Sequence, residues 1–194
     1  MMNPLPHPLL LLLLGALLLS GATALDCTSF GEFGGKFAAA ASAPWLEAPD
    51  IRTAEPGSRS YAEPVDGVDV YAWTHNETST GVAAAVGRVE VDWALTVSDA
   101  TSAAGGIDFS LRQADVYYFA PQKNLGSDGG IWFALVSPAA IERIERIAAS
   151  GRYIPESLSL KNALDNSRLN QTLNTPAPST MLPMQHQGEW INEN

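Results

Sequence analysis

The chain has 194 residues, of which 46% are hydrophobic and 16% charged, with a formal net charge of −10. This composition is typical of a globular protein with a sizeable core, and the acidic balance argues against nucleic acid or an anionic membrane surface as partner. The single cysteine, Cys27, excludes an intramolecular disulfide and a cysteine-built zinc site, and the three histidines lack metal-ligand spacing, so no metal site is expected.

The N-terminus begins with a segment that resembles a signal peptide. Leu9 to Leu19 is an apolar run, and Ala22-Thr23-Ala24 fits a small-x-small cleavage site, but no lysine or arginine precedes the run. The run is also too short to span a bilayer. We interpret residues 1–24 as a leader, which is either a signal peptide or a spurious segment that does not belong to the native protein. Residues 25–194 are interpreted as the folded part.

The first element predicted after the leader is a helix from Ser29 to Ala41. Aromatic residues recur there at helical spacing: Phe30, Phe33 and Phe37. Pro44 is expected to end this helix. The proline-containing segment from Ala48 to Pro64 is predicted to be an irregular connection.

Four near-continuous apolar segments are predicted to be strands. They are Val68–Trp73, Trp93–Ser98, Val116–Ala120 and Gly130–Val136. Strands of this kind are buried on both faces, which is typical of a parallel or mixed sheet flanked by helices in an α/β protein. Trp73, Trp93 and Trp132 lie within these segments, so we expect all three to be core residues.

A helix is predicted to follow the fourth strand. Ser137 is suited to cap its N-terminus and Gly151 to stop it. Residues 157–169 are predicted to be helical in part, and residues 170–178 to form a polar loop. The segment from Thr180 onward begins another helix-like pattern.

Polar side chains follow three of the predicted strands. Thr78 follows the first, Asp99 and Thr101 the second, and Gln122 and Lys123 the third. Ligands of open α/β sheets bind at the carboxyl ends of the strands. A lysine and a carboxylate in this order are what a pyridoxal phosphate site needs, one for the covalent bond and one to keep the ring nitrogen protonated.

Each strand-end residue has a predicted role. Lys123 is the catalytic candidate, a general base and then acid at the substrate, and Asp99 binds the ring nitrogen. Thr78 is expected to bind the ring hydroxyl, and Thr101 and Gln122 the phosphate. A lone strand-end aspartate is usually a turn former and a lone lysine a solvated charge. The prediction therefore depends on the combination.

Several segments closely resemble the phosphoserine aminotransferase family. The matching segments are 72–82, 99–106, 117–124, 127–130 and 170–176. The resemblance implies fold type I of the pyridoxal-phosphate enzymes and a homodimer. It also implies a cytoplasmic enzyme of serine biosynthesis, which converts 3-phosphohydroxypyruvate, a small phosphorylated 2-oxo acid, and glutamate to O-phosphoserine and 2-oxoglutarate.

The resemblance gives the five strand-end residues the same roles. It also implies that Asn174 and Thr175 reach across the dimer to the cofactor phosphate of the other subunit. The family's chains are longer, so residues 25–194 are expected to form part of the large, cofactor-binding domain without the small C-terminal domain.

Two other functions remain open. One is another enzyme of the same fold type, a cysteine desulfurase or an alanine–glyoxylate-type aminotransferase. Desulfurases usually carry histidine where this chain has Gln122, and they need a mobile catalytic cysteine, whereas Cys27 is expected to be an inert buried thiol. The other is a non-catalytic secreted α/β binding protein, which requires cleavage of the leader after Ala24.

Overall fold

The computed structural model describes residues 24–42 and 47–194. The predicted leader, apart from Ala24, and the predicted helix stop at Pro44 lie outside the described residues. The strands and α-helices in the described ranges are, in chain order, β1 (Ala24–Ser29), α1 (Glu32–Ala41), β2 (Asp50–Thr53), β3 (Val68–Thr74), β4 (Asn76–Glu77), β5 (Val82–Ala83), β6 (Leu95–Asp99), β7 (Val116–Phe119), β8 (Phe133–Val136), α2 (Pro138–Ala149), α3 (Leu160–Arg168) and α4 (Pro178–Glu193).

Six of these strands form one mixed sheet in the order β2-β1-β3-β6-β7-β8. The first five run parallel, and β8 pairs antiparallel with β7. Every residue of β3 and β6 is buried, as their continuous apolar sequences require for central strands. The predicted α/β class and its mainly parallel sheet are confirmed.

The two faces of the sheet bury separate clusters. One face packs against α1 and α2 through a set that includes Cys27, Phe37, Val70, Val97, Tyr118 and Ile144. The other face is covered by the segments that follow the strands, through a set that includes Phe30, Tyr71, Trp73, Ala100, Ala103 and Tyr117. Both clusters include residues at the carboxyl ends of the strands. This packing holds in place the backbone from which the loops after β3, β6 and β7 begin.

The second predicted helix forms as expected. The Ser137 hydroxyl accepts a hydrogen bond from the backbone N–H of Ala140 at 3.2 Å, and Gly151 follows α2 with φ of 76°. The polar loop predicted for residues 170–178 is also present. The helix that follows it, α4, begins at Pro178, two residues before the predicted start at Thr180. No helix in the described ranges is both long enough and apolar enough to cross a membrane.

Two strands of the six-stranded sheet were not predicted from the sequence. The predicted helix from Ser29 begins only at Glu32, because Ser29 ends β1, and β2 lies within the segment predicted to be irregular. Both strands carry charged residues, and the ion pair between Arg52 Nε and Asp26 Oδ2 at 2.7 Å joins them. This pairing allows Asp26 to lie in a buried strand, which an apolar pattern does not reveal.

The expectation for the tryptophans is correct for one of three. Trp73 in β3 is buried, and Trp132 is partly buried against the core. Trp93 is 65% exposed, because β6 begins only at Leu95 and the preceding residues form a turn outside the sheet.

The N-terminus of α1 is capped by side chains from a distant turn. The carboxylate of Glu77 accepts hydrogen bonds from the backbone N–H groups of Phe33 at 3.2 Å and Gly34 at 2.9 Å. The Ser79 hydroxyl accepts one from Glu32 N–H at 2.8 Å. These contacts satisfy N–H groups that the helix itself leaves unpaired, and the negative charge suits the helix N-terminus. They tie α1 to the turn after β3.

Gly31 is the position at which this cap can be tested. A Cβ atom there would lie 2.3 Å from Glu77 Cγ, so we expect Gly31→Ala to lower the free energy of unfolding by about 1–3 kcal/mol through overpacking. The matched control is Gly35→Ala in the same helix, where the nearest atom would be 3.8 Å away. The control should raise stability by about 0.5–1 kcal/mol. Equal effects of the two variants in urea denaturation would contradict the cap.

Candidate active site at the carboxyl edge of the sheet

The carboxyl ends of β3, β6 and β7 lie side by side. Asp99 pairs in register with Thr74 on one side and with Tyr118 on the other. The ladder continues past the strands, since His75 N–H donates to the Asp99 carbonyl and Ala100 N–H to the Tyr118 carbonyl, both at 2.8 Å. The loops that carry the predicted site residues therefore leave the sheet at one edge.

Asp99 is a buried carboxylate at the centre of this edge. It is 7% exposed, and its Oδ1 accepts a hydrogen bond from the backbone N–H of Thr101 at 2.9 Å. Within the described ranges, no lysine, arginine or histidine forms an ion pair with it. Burial raises the pKa of Asp99, and the nearby groups of Thr101 and Tyr118 lower it only in part.

Several buried polar atoms of the described residues lack a hydrogen bond of good geometry. Some lie within the strands, such as Asp26 Oδ1, Thr28 Oγ1 and Ser98 Oγ, and four lie in or just beyond the carboxyl ends of β3, β6 and β7: Thr74 Oγ1, Thr101 Oγ1, the Tyr118 hydroxyl and Gln122 Oε1. Buried polar groups in native proteins are nearly always hydrogen-bonded, so each such group needs an explanation. A polar ligand with a cationic group beside Asp99 would explain the four at the carboxyl ends together. The residues present thus fit the pyridoxal phosphate expected from the sequence.

Lys123 lies in the exposed loop after β7. The loop is held by hydrogen bonds from Gly126 N–H to the Lys123 carbonyl at 3.0 Å and from Ser127 N–H to the Pro121 carbonyl at 3.1 Å. The Lys123 Nζ atom is 6.0 Å from the ring centroid of Phe33, in the first turn of α1. The lysine thus extends toward the helix that Glu77 caps.

The three lysines of the chain differ in their partners. Lys36 forms an ion pair with Glu32 at 2.6 Å, and Lys161 forms one with Asp165, each across one helical turn. Lys123 forms no ion pair with any described residue. Its amine therefore needs no acidic partner to be displaced before it reacts with a ligand.

The remaining predicted residues lie in exposed segments. Thr78 is exposed in the turn that joins β4 to β5, next to the anchored Glu77. Asn174 and Thr175 are exposed in the loop between α3 and α4, where Thr172 Oγ1 donates to the Asn174 carbonyl at 2.6 Å. The structure thus brings five predicted residues to one edge, while no hydrogen bond in the described part joins Asn174 or Thr175 to them.

The sequence did not single out two kinds of contributor. Thr74 and Tyr118 flank Asp99 through strand register, which an apolar segment does not reveal. Glu77 anchors the turn of Thr78, and the only signal for it was an acid within a polar turn after a strand.

His75 and Cys27 occupy structural positions. His75 is buried, with its Nδ1 3.1 Å from the Tyr117 hydroxyl, and burial lowers its pKa. Tyr117 in turn stacks on Phe109, with ring centroids 3.9 Å apart. Cys27 is fully buried in β1, and burial raises the pKa of its thiol far above the usual range, which agrees with the expected inert thiol.

Asp99 is buried without a cationic partner among the described residues. We therefore predict that Asp99→Asn changes the stability of the chain in a pH-dependent way. Because the folded chain binds this proton more readily than the unfolded chain, ionised Asp99 opposes folding at neutral pH. The amide keeps an oxygen for Thr101 N–H and removes the charge. We expect the variant of the cofactor-free chain to be more stable than wild type in urea at pH 7, with the difference closing by about pH 4.

Asp115→Asn is the matched control, because Asp115 is equally buried but satisfied. Its carboxylate accepts hydrogen bonds from Arg88 Nη1 at 2.6 Å and Thr96 N–H at 3.0 Å. This variant should lose about 1–3 kcal/mol at pH 7 through weakened charged hydrogen bonds. If Asp99→Asn is destabilising to a similar degree, Asp99 is not an unpaired buried charge.

The sequence has close relatives among curated proteins. It is 55% identical over 168 residues to phosphoserine aminotransferase of Nocardioides sp. and 54% identical over 168 residues to that of Corynebacterium glutamicum. These alignments cover 84% and 86% of this chain and 45% of each relative, so the chain spans about half the length of the relatives it matches. The chain matches no protein-family model.

Solved structures share the fold. A phosphoserine aminotransferase from Cytophaga hutchinsonii superposes with a TM-score of 0.79 at 22% identity, over 92% of this chain and 52% of that one. An aspartate aminotransferase from Thermus thermophilus superposes with a TM-score of 0.76 at 20% identity, over 95% and 56%. At these identities the superpositions establish the fold.

Proposed function

We propose that this chain, a homologue of the phosphoserine aminotransferases, forms the pyridoxal-phosphate-binding part of a phosphoserine aminotransferase. The reaction would convert 3-phosphohydroxypyruvate and glutamate to O-phosphoserine and 2-oxoglutarate, a step of serine biosynthesis. One observation carries the proposal: Asp99, a buried carboxylate, lies at the same sheet edge as Lys123, and neither forms an ion pair with any described residue. Identity above 50% to relatives of that name supports the choice of reaction.

Five residues of the edge would hold the cofactor. Lys123 would bond to it covalently through its ε-amine, and Asp99 would pair with the protonated ring nitrogen. That cation would offset the burial of the carboxylate, which has no other positive partner among the described residues. Thr78 would bind the ring hydroxyl. The Thr101 hydroxyl, which has no partner of good geometry among the described residues, and the side-chain NH2 group of Gln122 would donate to the phosphate.

The protein's own groups would manage charge and protons during transamination. When bound, pyridoxal phosphate supplies an electron sink for the charge left when the substrate loses its Cα proton. Asp99, oriented by the Thr101 N–H, would keep the ring nitrogen protonated. Lys123, which is exposed and forms no ion pair with the described residues, would accept the proton at Cα as a base and donate it at C4′ as an acid.

The cysteine and the leader bear on the two alternatives. A desulfurase requires a mobile thiol, whereas Cys27 is fixed within buried β1 and its pKa is raised by burial. For a secreted protein, the predicted cleavage after Ala24 would fall at the first residue of the same strand. Both observations favour the aminotransferase, and with it a cytoplasmic location.

The dimer is part of the proposal. Residues 25–194 would form part of the large domain of a homodimer, in which Asn174 and Thr175 reach the cofactor phosphate of the partner. Support comes from their position on an exposed loop, with no hydrogen bond to the strand-end residues of their own chain in the described part.

The cofactor site can be tested by covalent labelling. The chain should become labelled at Lys123 when it is incubated with pyridoxal phosphate, reduced with borohydride and digested for mass spectrometry. Lys36 and Lys161 serve as internal controls, because their ion pairs should leave them unlabelled at low cofactor concentration. Lys123→Ala should abolish the label, and Asp99→Asn should weaken cofactor binding by about tenfold or more through loss of the charge pair. Equal labelling of all three lysines would contradict the site.

The shared site can be tested by mixing two inactive variants. Lys123→Ala lacks the bonding lysine, and Asn174→Ala lacks the proposed contact to the partner. In a hybrid dimer, the subunit with Asn174→Ala keeps its lysine and receives Asn174 from the other subunit. We therefore expect the mixture, after unfolding and refolding together, to regain labelling that neither variant shows at low cofactor concentration. Absence of any gain, or a monomer by light scattering, would contradict the shared site.

A further inference from the structure

A chain of side-chain hydrogen bonds joins the three loops of the candidate site. We propose that Asn124 is a positioning residue, which holds the loop of Lys123 against the turn that follows Asp99, with Ser102 and Asn76 completing the connection. We call these three residues, Asn76, Ser102 and Asn124, the bracket. The proposal rests on the proposed function, since it concerns how Lys123 is presented to the cofactor.

The first half of the bracket fixes the lysine loop. Asn124, directly after Lys123, donates from Nδ2 to the Ser102 carbonyl at 3.1 Å. Its amide lies where a Cβ on Gly106 would be, since that atom would be 2.5 Å from Asn124 Nδ2. The absence of a side chain at Gly106 therefore makes room for this hydrogen bond.

The second half of the bracket reaches the turn after β3. Ser102 Oγ donates to the Asn76 carbonyl, and Asn76 Nδ2 donates to Ser102 Oγ, both at 2.9 Å. Asn76 immediately precedes Glu77, whose carboxylate caps α1. The bracket and the cap together connect the segments of Thr78, Thr101 and Lys123, so that displacement of one loop is resisted by its neighbours.

The location of the bracket favours a positioning role over a folding role. Asn124 is exposed and Ser102 partly exposed, and neutral hydrogen bonds of such groups add little to folding stability. The reactive amine of Lys123 stands at the end of a flexible side chain, so its reach depends on where the backbone of the loop is held. A displacement of about 1 Å at a reacting group can reduce a rate about 100-fold.

The test compares the rate of covalent attachment with the affinity for the cofactor. Wild type and Asn124→Ala, each as the full chain, are incubated with increasing pyridoxal phosphate, and attachment at Lys123 is followed by borohydride quenching and mass spectrometry. The variant should attach about tenfold more slowly at saturation. Its half-saturating concentration should stay within about twofold of wild type, because Asp99, Thr101 and Gln122 are intact.

Two further variants separate positioning from a general loss of structure. Asn166→Ala is the matched control, since Asn166 Nδ2 also donates to a backbone carbonyl, that of Asn162 at 2.8 Å, but in α3. It should attach cofactor at the wild-type rate. Gly106→Ala should displace the Asn124 amide and slow attachment as Asn124→Ala does, and the double variant should be no slower than either, because both remove one interaction.

The outcomes distinguish the two proposals. If wild type does not attach pyridoxal phosphate at Lys123, the proposed function is wrong and the bracket loses its role with it. If wild type attaches it and Asn124→Ala is as fast, the bracket alone is wrong. Additive slowing by Asn124→Ala and Gly106→Ala, or slowing matched by Asn166→Ala, also contradicts it.

Discussion

The uncompensated carboxylate of Asp99 is the constraint on which the site depends. The parallel strands β3, β6 and β7 must be buried on both faces, and their register places Asp99 between Thr74 and Tyr118. This sheet therefore removes from water a charge that nothing in the described chain neutralises. A cationic ligand is the physical solution to that arrangement, and the loops at the same edge carry the lysine and the hydroxyl groups that would bind it.

The other buried acids show how unusual this arrangement is. Glu77 is satisfied by the N-terminus of α1 and by Ser79. Asp115 is paired with Arg88, and Asp26 with Arg52. Each of these three carboxylates stabilises a junction between elements. Among the described residues, the structural acids receive a helix terminus or an arginine, whereas Asp99 receives only neutral groups of Thr101 and Tyr118, so its burial is better explained by ligand binding than by folding.

The fold and the sequence relatives answer different questions. Aminotransferases of different names, for phosphoserine and for aspartate, share this fold at about 20% identity, so the architecture by itself does not select a substrate. The proposed reaction with phosphohydroxypyruvate is supported instead by relatives at about 55% identity, and the chain covers 45% of the length of the Nocardioides enzyme. The bracket concerns how Lys123 is presented to the proposed cofactor. Selection of a substrate depends on other groups, which recognise its phosphate and its carboxylate.

The sequence by itself determined the central strands, α2 and the order of Asp99 and Lys123. Continuous apolar segments and helix caps are local signals, and strand-end chemistry follows from the parallel topology. It missed β1 and β2, whose charged residues are compatible with strands only through the pairing of Asp26 with Arg52. It also misjudged Trp93, since burial depends on where a strand begins.

Only the tertiary structure decided that, in the part of the chain that the structure describes, Asp99 has no cationic partner and Lys123 no acidic one, because both facts depend on residues distant in sequence. The same holds for the capping of α1 by Glu77 and for the link from Asn124 to Ser102. A sequence pattern specifies which groups are available at a sheet edge. Their partners are fixed by strand register and loop packing, and these contacts determine which charges remain free for a ligand.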